Sequence, residues 1–446
     1  MTLAPPDHTS EANASSGLPA RKVCVVRPNV SRPVDGEIIP LEALSLAGWA
    51  RHQSQRAVRL LDAADQHLSL EATCERLVHA APDVIVISNH GQDPADLQPI
   101  LEAIASRLPE CVRVLAEQGA RPHPEGADFP PVQFLLNGDV GPGLQRVLHQ
   151  LELGTRDFAG IPGLSWRTWQ GEWKSTPPWH TSSSLPDSPA PAWDLIHREG
   201  QSLHGALRTA RVCPPDCPTC HGAYGRTIRR RSTTEALNEA RLLVQTYGVR
   251  QLSIVDEVFD FEPSRAKDLL RGLIALQADL DLRLPEGLRG DRIDAEMAQL
   301  LRQAGLRSCH IQIGSTTPRI QRQLGSNLDL PALRKGIEAL AAQGIRVHGH
   351  FGLGFEFEDP RQRERTIAFA KSSGLHSASF KNLGSGNQGP VGRRLVAVRF
   401  YCNRERLSAW RLWAKDRYAT RIEPKLQTWA QKAKDRIKRL RRQTAS

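Results

Sequence analysis

A chain of 446 residues, 40% apolar and 24% charged, has room for two or three domains and the composition of a globular protein. No apolar run approaches the roughly 18 residues of a membrane span, and eight cysteines spread over this length exclude a disulfide scaffold. The net charge of +11 is uneven: residues 393–446 hold 17 Lys and Arg against 4 Asp and Glu, so the remainder is slightly acidic and the chain as a whole is not marked as a nucleic-acid binder.

Residues 1–21 are polar, rich in Ser, Pro and Ala, and lack the apolar centre of a signal peptide, which predicts a disordered tail on a cytoplasmic protein. Residues 22–152 then alternate short apolar runs with helical patterns. Strands are predicted at 22–27, 57–61, 83–88, 112–115 and 132–136, and helices at 41–53, 71–80, 94–107 and 143–153. Asp93 before Pro94 supplies an N-cap followed by proline at the first helical position. This order makes a doubly wound, Rossmann-like parallel sheet, which binds ligands past the carboxyl ends of its strands. The first turn lacks a Gly-x-Gly-x-x-Gly or Walker pattern, which argues against a plain dinucleotide site. Residues 153–198, with a hairpin-like stretch at 169–173 and a Pro/Ser-rich run at 177–191, read as a linker.

From 199 to 383 strand–helix pairs return, with strands at 207–212, 251–255, 281–284, 308–313, 346–351 and 377–380 and helices at 233–247, 263–277, 295–304, 330–343 and 360–373. Ser232 and Glu235 form a capping-box pattern. Six such units predict a partial (β/α)6 barrel, whose chemistry gathers at the carboxyl ends of the strands, where Cys213 to Cys220, Asp256, Glu257, Gly314, Ser315, Gly352 and Gly354 fall. His310, His348 and His350 alternate near strand ends; the last two share a strand face, and a hydrogen-bonded core position suits them as well as a functional one. Cys309 reads as a small apolar core residue. In the basic region 384–446, Ile422, Leu426, Trp429, Ala433, Ile437 and Leu440 recur at helical spacing, giving an apolar stripe flanked by cations that can pack on the barrel or lie on an anionic surface.

The chain is organised around Arg211-Val-Cys213-Pro-Pro-Asp-Cys217-Pro-Thr-Cys220-His221-Gly222. Three thiols so close together suit a soft metal centre. Structural zinc normally takes four protein ligands and a cubane held by protein alone takes four cysteines. His221 follows Cys220 directly and is poorly placed to be a fourth ligand from a short loop. A cluster with one iron open to an exogenous ligand fits the count; zinc stays open, and Cys217-Pro-Thr-Cys220-His221 also spells the attachment motif of c-type haem, which requires export.

The cysteine spacing resembles the cluster motif of the radical S-adenosylmethionine (SAM) enzymes, with Thr219 where that family usually has an aromatic residue. The resemblance continues through Arg229 to Ser232, Asp256-Glu257 with Phe259, Arg289 to Asp294, Gln312-Ile-Gly314-Ser315, and Gly349 to Gly354 with Glu356. The N-terminal domain resembles the cobalamin-binding domain of one large subfamily at Ile39 to Leu44, Pro82 to Ser88, Glu117-Gln118-Gly119 through Glu125, and Asn137 to Gly143. Leu185-Pro186-Asp187 and Pro191 to Leu195 resemble the segment between the two domains. Asp65-Gln66-His67 is similar to the cobalt-ligating Asp-x-His-x-x-Gly motif, but Leu70 replaces its glycine and it follows the second strand rather than the first, so His67 is expected at the surface.

The resemblance implies a [4Fe-4S] cluster held by Cys213, Cys217 and Cys220, and SAM held by Asp256, Glu257, Gln312, Ser315, Gly352 and Gly354, the first two on its amino group. It implies cobalamin beside Gly119, Gly138 and Gly141. The implied activity is cobalamin-dependent methylation of an unactivated carbon in a small-molecule, lipid or peptide substrate, with electrons from a flavodoxin- or ferredoxin-type reductant and peripheral membrane contact through the basic tail. Two rivals remain at this point: a radical cyclase, mutase or oxidoreductase without methyl transfer, and a non-catalytic metal module that binds nucleic acid.

Overall fold

Five parallel strands, β1 (Lys22–Arg27), β2 (Ala57–Asp62), β3 (Val84–Asn89), β4 (Val112–Glu117) and β5 (Phe134–Asn137), alternate with helices α1 (Leu41–Arg51), α2 (Leu70–Ala80), α3 (Pro94–Arg107) and α4 (Val140–Glu152). The computed structural model describes residues 22–29, 39–89, 94–117, 131–168, 170–177, 188–196, 203–211, 228–355 and 358–382. The strands lie in the order β2-β1-β3-β4-β5. Every residue of β3 is buried, because a central parallel strand is covered by helices on both faces and its Val-Ile-Val-Ile run needs no polar alternation. One apolar cluster joins the sheet to α1 and α4 through Leu46, Val86, Val147 and Leu148; the other joins it to α2 and α3 through Ile85, Leu77, Leu101 and Ile104. Ser69 caps α2, its Oγ accepting from the Ala72 N–H at 3.1 Å.

Beyond β5 the sheet gains an antiparallel hairpin, β6 (Leu164–Arg167) and β7 (Trp173–Ser175). Part of the segment expected as a linker therefore belongs to the first domain. Strands of four and three residues are too short for alternation to register in a sequence pattern.

The second domain comprises β8 (His204–Leu207), β9 (Ala210–Arg211), β10 (Arg229–Arg230), α5 (Thr233–Gln245), β11 (Gln251–Ile254), α6 (Pro263–Ala275), β12 (Asp281–Arg283), α7 (Ala295–Gln303), β13 (Ser308–Gly314), α8 (Pro318–Gln323), α9 (Leu330–Ala342), β14 (Arg346–Leu353), α10 (Pro360–Ser372) and β15 (Ser377–Asn382). Parallel ladders join β8, β11 and β12 in one sheet and β13, β14 and β15 in another, and a parallel bridge between Leu288 and Ile311 links the two. Six strands thus curve into a partial barrel in chain order. The strand predicted at 207–212 is in fact two: β8 ends at Leu207, and β9 turns away to pair antiparallel with β10. The short α8 has no counterpart among the predicted helices; a helix of six residues presents too little periodicity. The capping box is present, with Ser232 Oγ accepting from the Glu235 N–H at 3.1 Å and Glu235 accepting from the Ser232 N–H at 2.9 Å.

The domains share core. Ile39, Leu41 and Leu44 run through the fully buried Trp193 into the cluster of Leu207, Leu243 and Leu270. Among the described residues no helix is long and apolar enough to cross a membrane. The polar stretch 1–21 and the basic stripe of 384–446 lie outside the described residues.

Candidate active site

The stem of the cysteine loop is built first. β9 pairs antiparallel with β10, Arg211 opposite Arg229 and Ala210 opposite Arg230, so the chain leaves and re-enters the barrel at one place. Cys213, Cys217 and Cys220 lie in the intervening segment, outside the described residues.

A buried carboxylate and a half-buried guanidinium secure this stem. Asp256, just past β11, accepts from the Thr209 N–H at 2.6 Å, from the Ala210 N–H at 3.1 Å and from Thr209 Oγ1. Burial pushes its carboxyl up to about 6, against the pull of those three donors. From α6, Arg265 donates to Thr209 Oγ1 at 3.0 Å, to the Thr209 carbonyl at 2.9 Å and to the Arg231 carbonyl at 3.0 Å, bridging both sides of the stem. Burial lowers the Arg265 pKa, with Asp256 the first charge to oppose that.

The expected acidic pair is therefore divided. Both oxygens of Asp256 are occupied by the stem, and an ammonium would have to displace those donors. Glu257 follows it and is half-buried.

On β13, Gln312 is exposed on the inner face, and a register irregularity follows it before Gly314, which adopts φ +66°. Ser315, expected against the cofactor, is fully buried and serves its own turn: its Oγ accepts from the Thr317 N–H at 3.2 Å and its carbonyl from Gln321 Nε2 at 2.8 Å. Its hydroxyl closes a local turn just before α8. On β14, Gly352 is buried on the inner face, and Gly354 at φ +76° donates its N–H to Glu358 Oε2 at 2.5 Å. Gly349 faces the other way, where a Cβ would meet Leu375 Cδ1 at 2.6 Å and Phe351 Cε2 at 2.8 Å, so that glycine makes room for core side chains. Glu356 is outside the described residues.

In the first domain, Asn89, Glu117 and Asn137 end three adjacent strands in register, all buried, with Asn89 Nδ2 donating to Glu117 Oε1 at 2.9 Å. A polar row at the carboxyl edge of a doubly wound sheet is where such folds receive ligands. Gly138 there adopts φ +85° with open space where a Cβ would stand. Gly141 is different: a Cβ would lie 2.3 Å from the Trp49 ring, so its first duty is to seat that indole. Gly119 is outside the described residues. His67 is exposed on the turn after β2, at φ +49°, as its sequence context predicts.

Several pairings carried no sequence signal. Arg229, only 2% exposed, pairs with Asp139 at 2.7 Å, tying the loop after β5 to the stem of the cysteine loop. Arg208 pairs with Glu42 of α1, and Arg211 stands 3.8 Å from the same carboxylate. Partners 90 and 166 residues apart cannot be matched from one sequence.

Residues 207–370, from the end of β8 into α10, match the model of the Radical SAM superfamily. The matched stretch lies wholly within the second domain. Two curated proteins extend the likeness across both domains: an uncharacterised methyltransferase of Pyrococcus horikoshii, 24% identical over 353 residues, spanning 76% of this chain and 75% of its own; and the cytidylyl-2-hydroxyethylphosphonate methyltransferase of Streptomyces wedmorensis, 24% identical over 368 residues, spanning 72% and 68%. Among solved structures, the radical SAM methyltransferase TsrM from Kitasatospora setae, with tryptophan and a SAM analogue bound, superposes with a TM-score of 0.67 at 18% identity over 81% of this chain and 73% of that one. The cobalamin-dependent radical SAM enzyme OxsB gives 0.64 at 17% identity over 88% of this chain and 56% of that one. At these identities the superpositions establish the fold alone: a doubly wound domain joined to a partial (β/α) barrel.

Proposed function

We propose that this protein is a cobalamin-dependent radical SAM methyltransferase acting on a carbon of an organic substrate. The observation that carries the reading is that a radical SAM barrel and a doubly wound sheet with a polar carboxyl edge are packed into one core, and that both curated relatives spanning the two domains are named methyltransferases.

The residues present suit the groups this reading requires. Three thiolates close together in sequence leave an iron–sulfur cluster one open iron, and the β9–β10 pair that flanks them supports a site beside the barrel. When bound, the cluster supplies one electron, SAM the radical or methyl source, and cobalamin a methyl carrier. The protein does the remainder. Asp256 and Arg265 hold the stem, Glu257 meets the ammonium of SAM, and Gly352 and Gly354 let backbone approach its flat base. The shared core around Trp193 keeps the two domains together and water out of the boundary. Asn89, Glu117, Asn137 and Gly138 line the edge that receives cobalamin, and the resemblance adds Gly119 and Gly141 to that site. Electrons come from a flavodoxin- or ferredoxin-type protein, and the basic region 384–446 contacts an anionic membrane surface or the reductant.

The test is anaerobic reconstitution with iron, sulfide and hydroxocobalamin, followed by low-temperature EPR of the reduced protein. The expected result is a four-iron signal that shifts on adding SAM, one retained cobalamin per chain, and loss of the signal in Cys213→Ala, Cys217→Ala or Cys220→Ala. A cluster indifferent to SAM would overturn the reading; a SAM-responsive cluster with no cobalamin would reduce it to a radical enzyme without this methyl carrier.

A further inference from the structure

The inner face of the barrel carries an imidazole cluster that the reading above leaves unused. On β13 and β14 the residues facing the helices are Cys309, Ile311, Ile313, Val347 and Phe351, all buried. The alternate residues, His310 and Gln312 with His348 and His350, face inward. His348 stands opposite His310 on one side and Ser377 of β15 on the other; His350 stands opposite Gln312 and Ser379. The His348 and His350 rings are 4.6 Å apart and the His310 and His350 rings 5.0 Å apart. Closed barrels usually fill these layers with branched aliphatic side chains.

The two β14 imidazoles are fixed by hydroxyls. Nδ1 of His348 lies 2.6 Å from Ser377 Oγ, and Nδ1 of His350 lies 2.6 Å from Ser379 Oγ. A serine can donate to a neutral Nδ1 and accept from a protonated one, so each pair keeps its bond in either charge state while Nε2 remains directed elsewhere. His310 is held by the backbone carbonyl of Glu286. Burial lowers all three pKa values, and neighbouring histidines add to the effect at His310 and at His348, taking the latter to about 4. Strands β13, β14 and β15 carry no Asp or Glu to offset this. The other charged groups on this face are Arg346 and Lys381, both basic; across the barrel, Asp281 of β12 is hydrogen-bonded to Gln251 and Arg283, and His204 of β8 to Ser253. The cluster is thus three inward-facing imidazoles that gain N–H donors on protonation, in a part of the barrel whose own strands carry no Asp or Glu.

We propose that His310, His348 and His350 form the binding site for a phosphate or phosphonate group of the substrate. The inference deepens the methyltransferase reading by naming a substrate class, and it rests on that reading. A group with several acceptor oxygens uses donors from more than one strand at once, and its charge returns protons to the rings, strengthening the hydrogen bonds it receives. Binding is therefore coupled to proton uptake and weakens as pH rises.

The probe is methylphosphonate, titrated calorimetrically into the reconstituted full-length protein at pH 6.5 and 8.5 in two buffers of different ionisation enthalpy. The expected result is saturable binding with proton uptake, at least tenfold tighter at pH 6.5, and at least tenfold weaker in the His348→Gln/His350→Gln double variant. The SAM-induced EPR shift of that variant should match that of the unaltered protein, showing that the barrel is intact. Absence of methylphosphonate binding, equal binding by the double variant, acetate binding as tightly, or stoichiometric capture of Zn2+ by the three rings would each overturn the proposal. If the cluster of the unaltered protein ignores SAM, the methyltransferase reading fails, and the calorimetry still reports on the histidines separately.

Discussion

The buried ion pair between Asp139 and Arg229 is the most direct handle on how the two domains are joined. The side chains are 11% and 2% exposed and 2.7 Å apart. Arg229→Met removes the cation and leaves the carboxylate in a largely dry place, where breaking a buried pair costs about 3–5 kcal/mol. Asp139 sits just before α4, and the partial positive charge of a helix N-terminus offsets part of that penalty, so we expect about 3 kcal/mol. Asp139→Asn should cost more, about 4 kcal/mol, because a guanidinium cannot shed its proton when stranded. The Arg229→Met/Asp139→Asn double variant strands neither charge, and the two losses should fail to add by at least about 2 kcal/mol. The assay is anaerobic urea unfolding followed by tryptophan fluorescence, since Trp193 lies in the shared core. A coupling energy below about 0.5 kcal/mol, the range expected of independent sites, would refute the argument that this pair connects the domains.

Three further outcomes are expected. Gly141→Ala places a Cβ 2.3 Å from the Trp49 ring and should destabilise the first domain by about 1–3 kcal/mol with a shift in tryptophan emission; unchanged stability would show that the indole moves freely. Because burial raises the Asp256 pKa to about 6, above its unfolded value, the protonated fold is favoured: that contribution is complete below about pH 4 and is lost as pH rises through 6. Asp256→Asn should remove this component from a stability–pH profile, and a profile unchanged between pH 4 and 6 would count against it. Ser232→Ala removes the α5 cap and should cost about 1 kcal/mol, read as a lower urea midpoint at constant slope.

Local patterns carried the architecture a long way. Strands such as β3 and helices such as α5 are written in contiguous residues, by an unbroken apolar run in one and a capping box with helical spacing in the other, and the structure places both within a residue or two of expectation. The cluster motif is likewise written in contiguous residues, three thiols within eight positions, and lies outside the described residues. Short elements escaped: β6, β7, β9 and β10 have two to four residues each, too few for a period to show. Within the site, sequence placed Asp256 and Ser315 at the barrel mouth without revealing which way their polar atoms turn, and both are engaged by local backbone.

What the sequence by itself determined is therefore what depends on near neighbours: the alternation of strands and helices, the barrel order, and the loop that presents Cys213, Cys217 and Cys220. Only the tertiary structure decided which distant groups meet. Arg229 finds Asp139 across 90 residues, Thr209 takes up Asp256, and His310 on one strand comes to face His348 and His350 on the next. Hydrogen bonds and ion pairs act over a few ångströms in space, and a chain that folds back on itself sets those distances with no regard to separation in sequence.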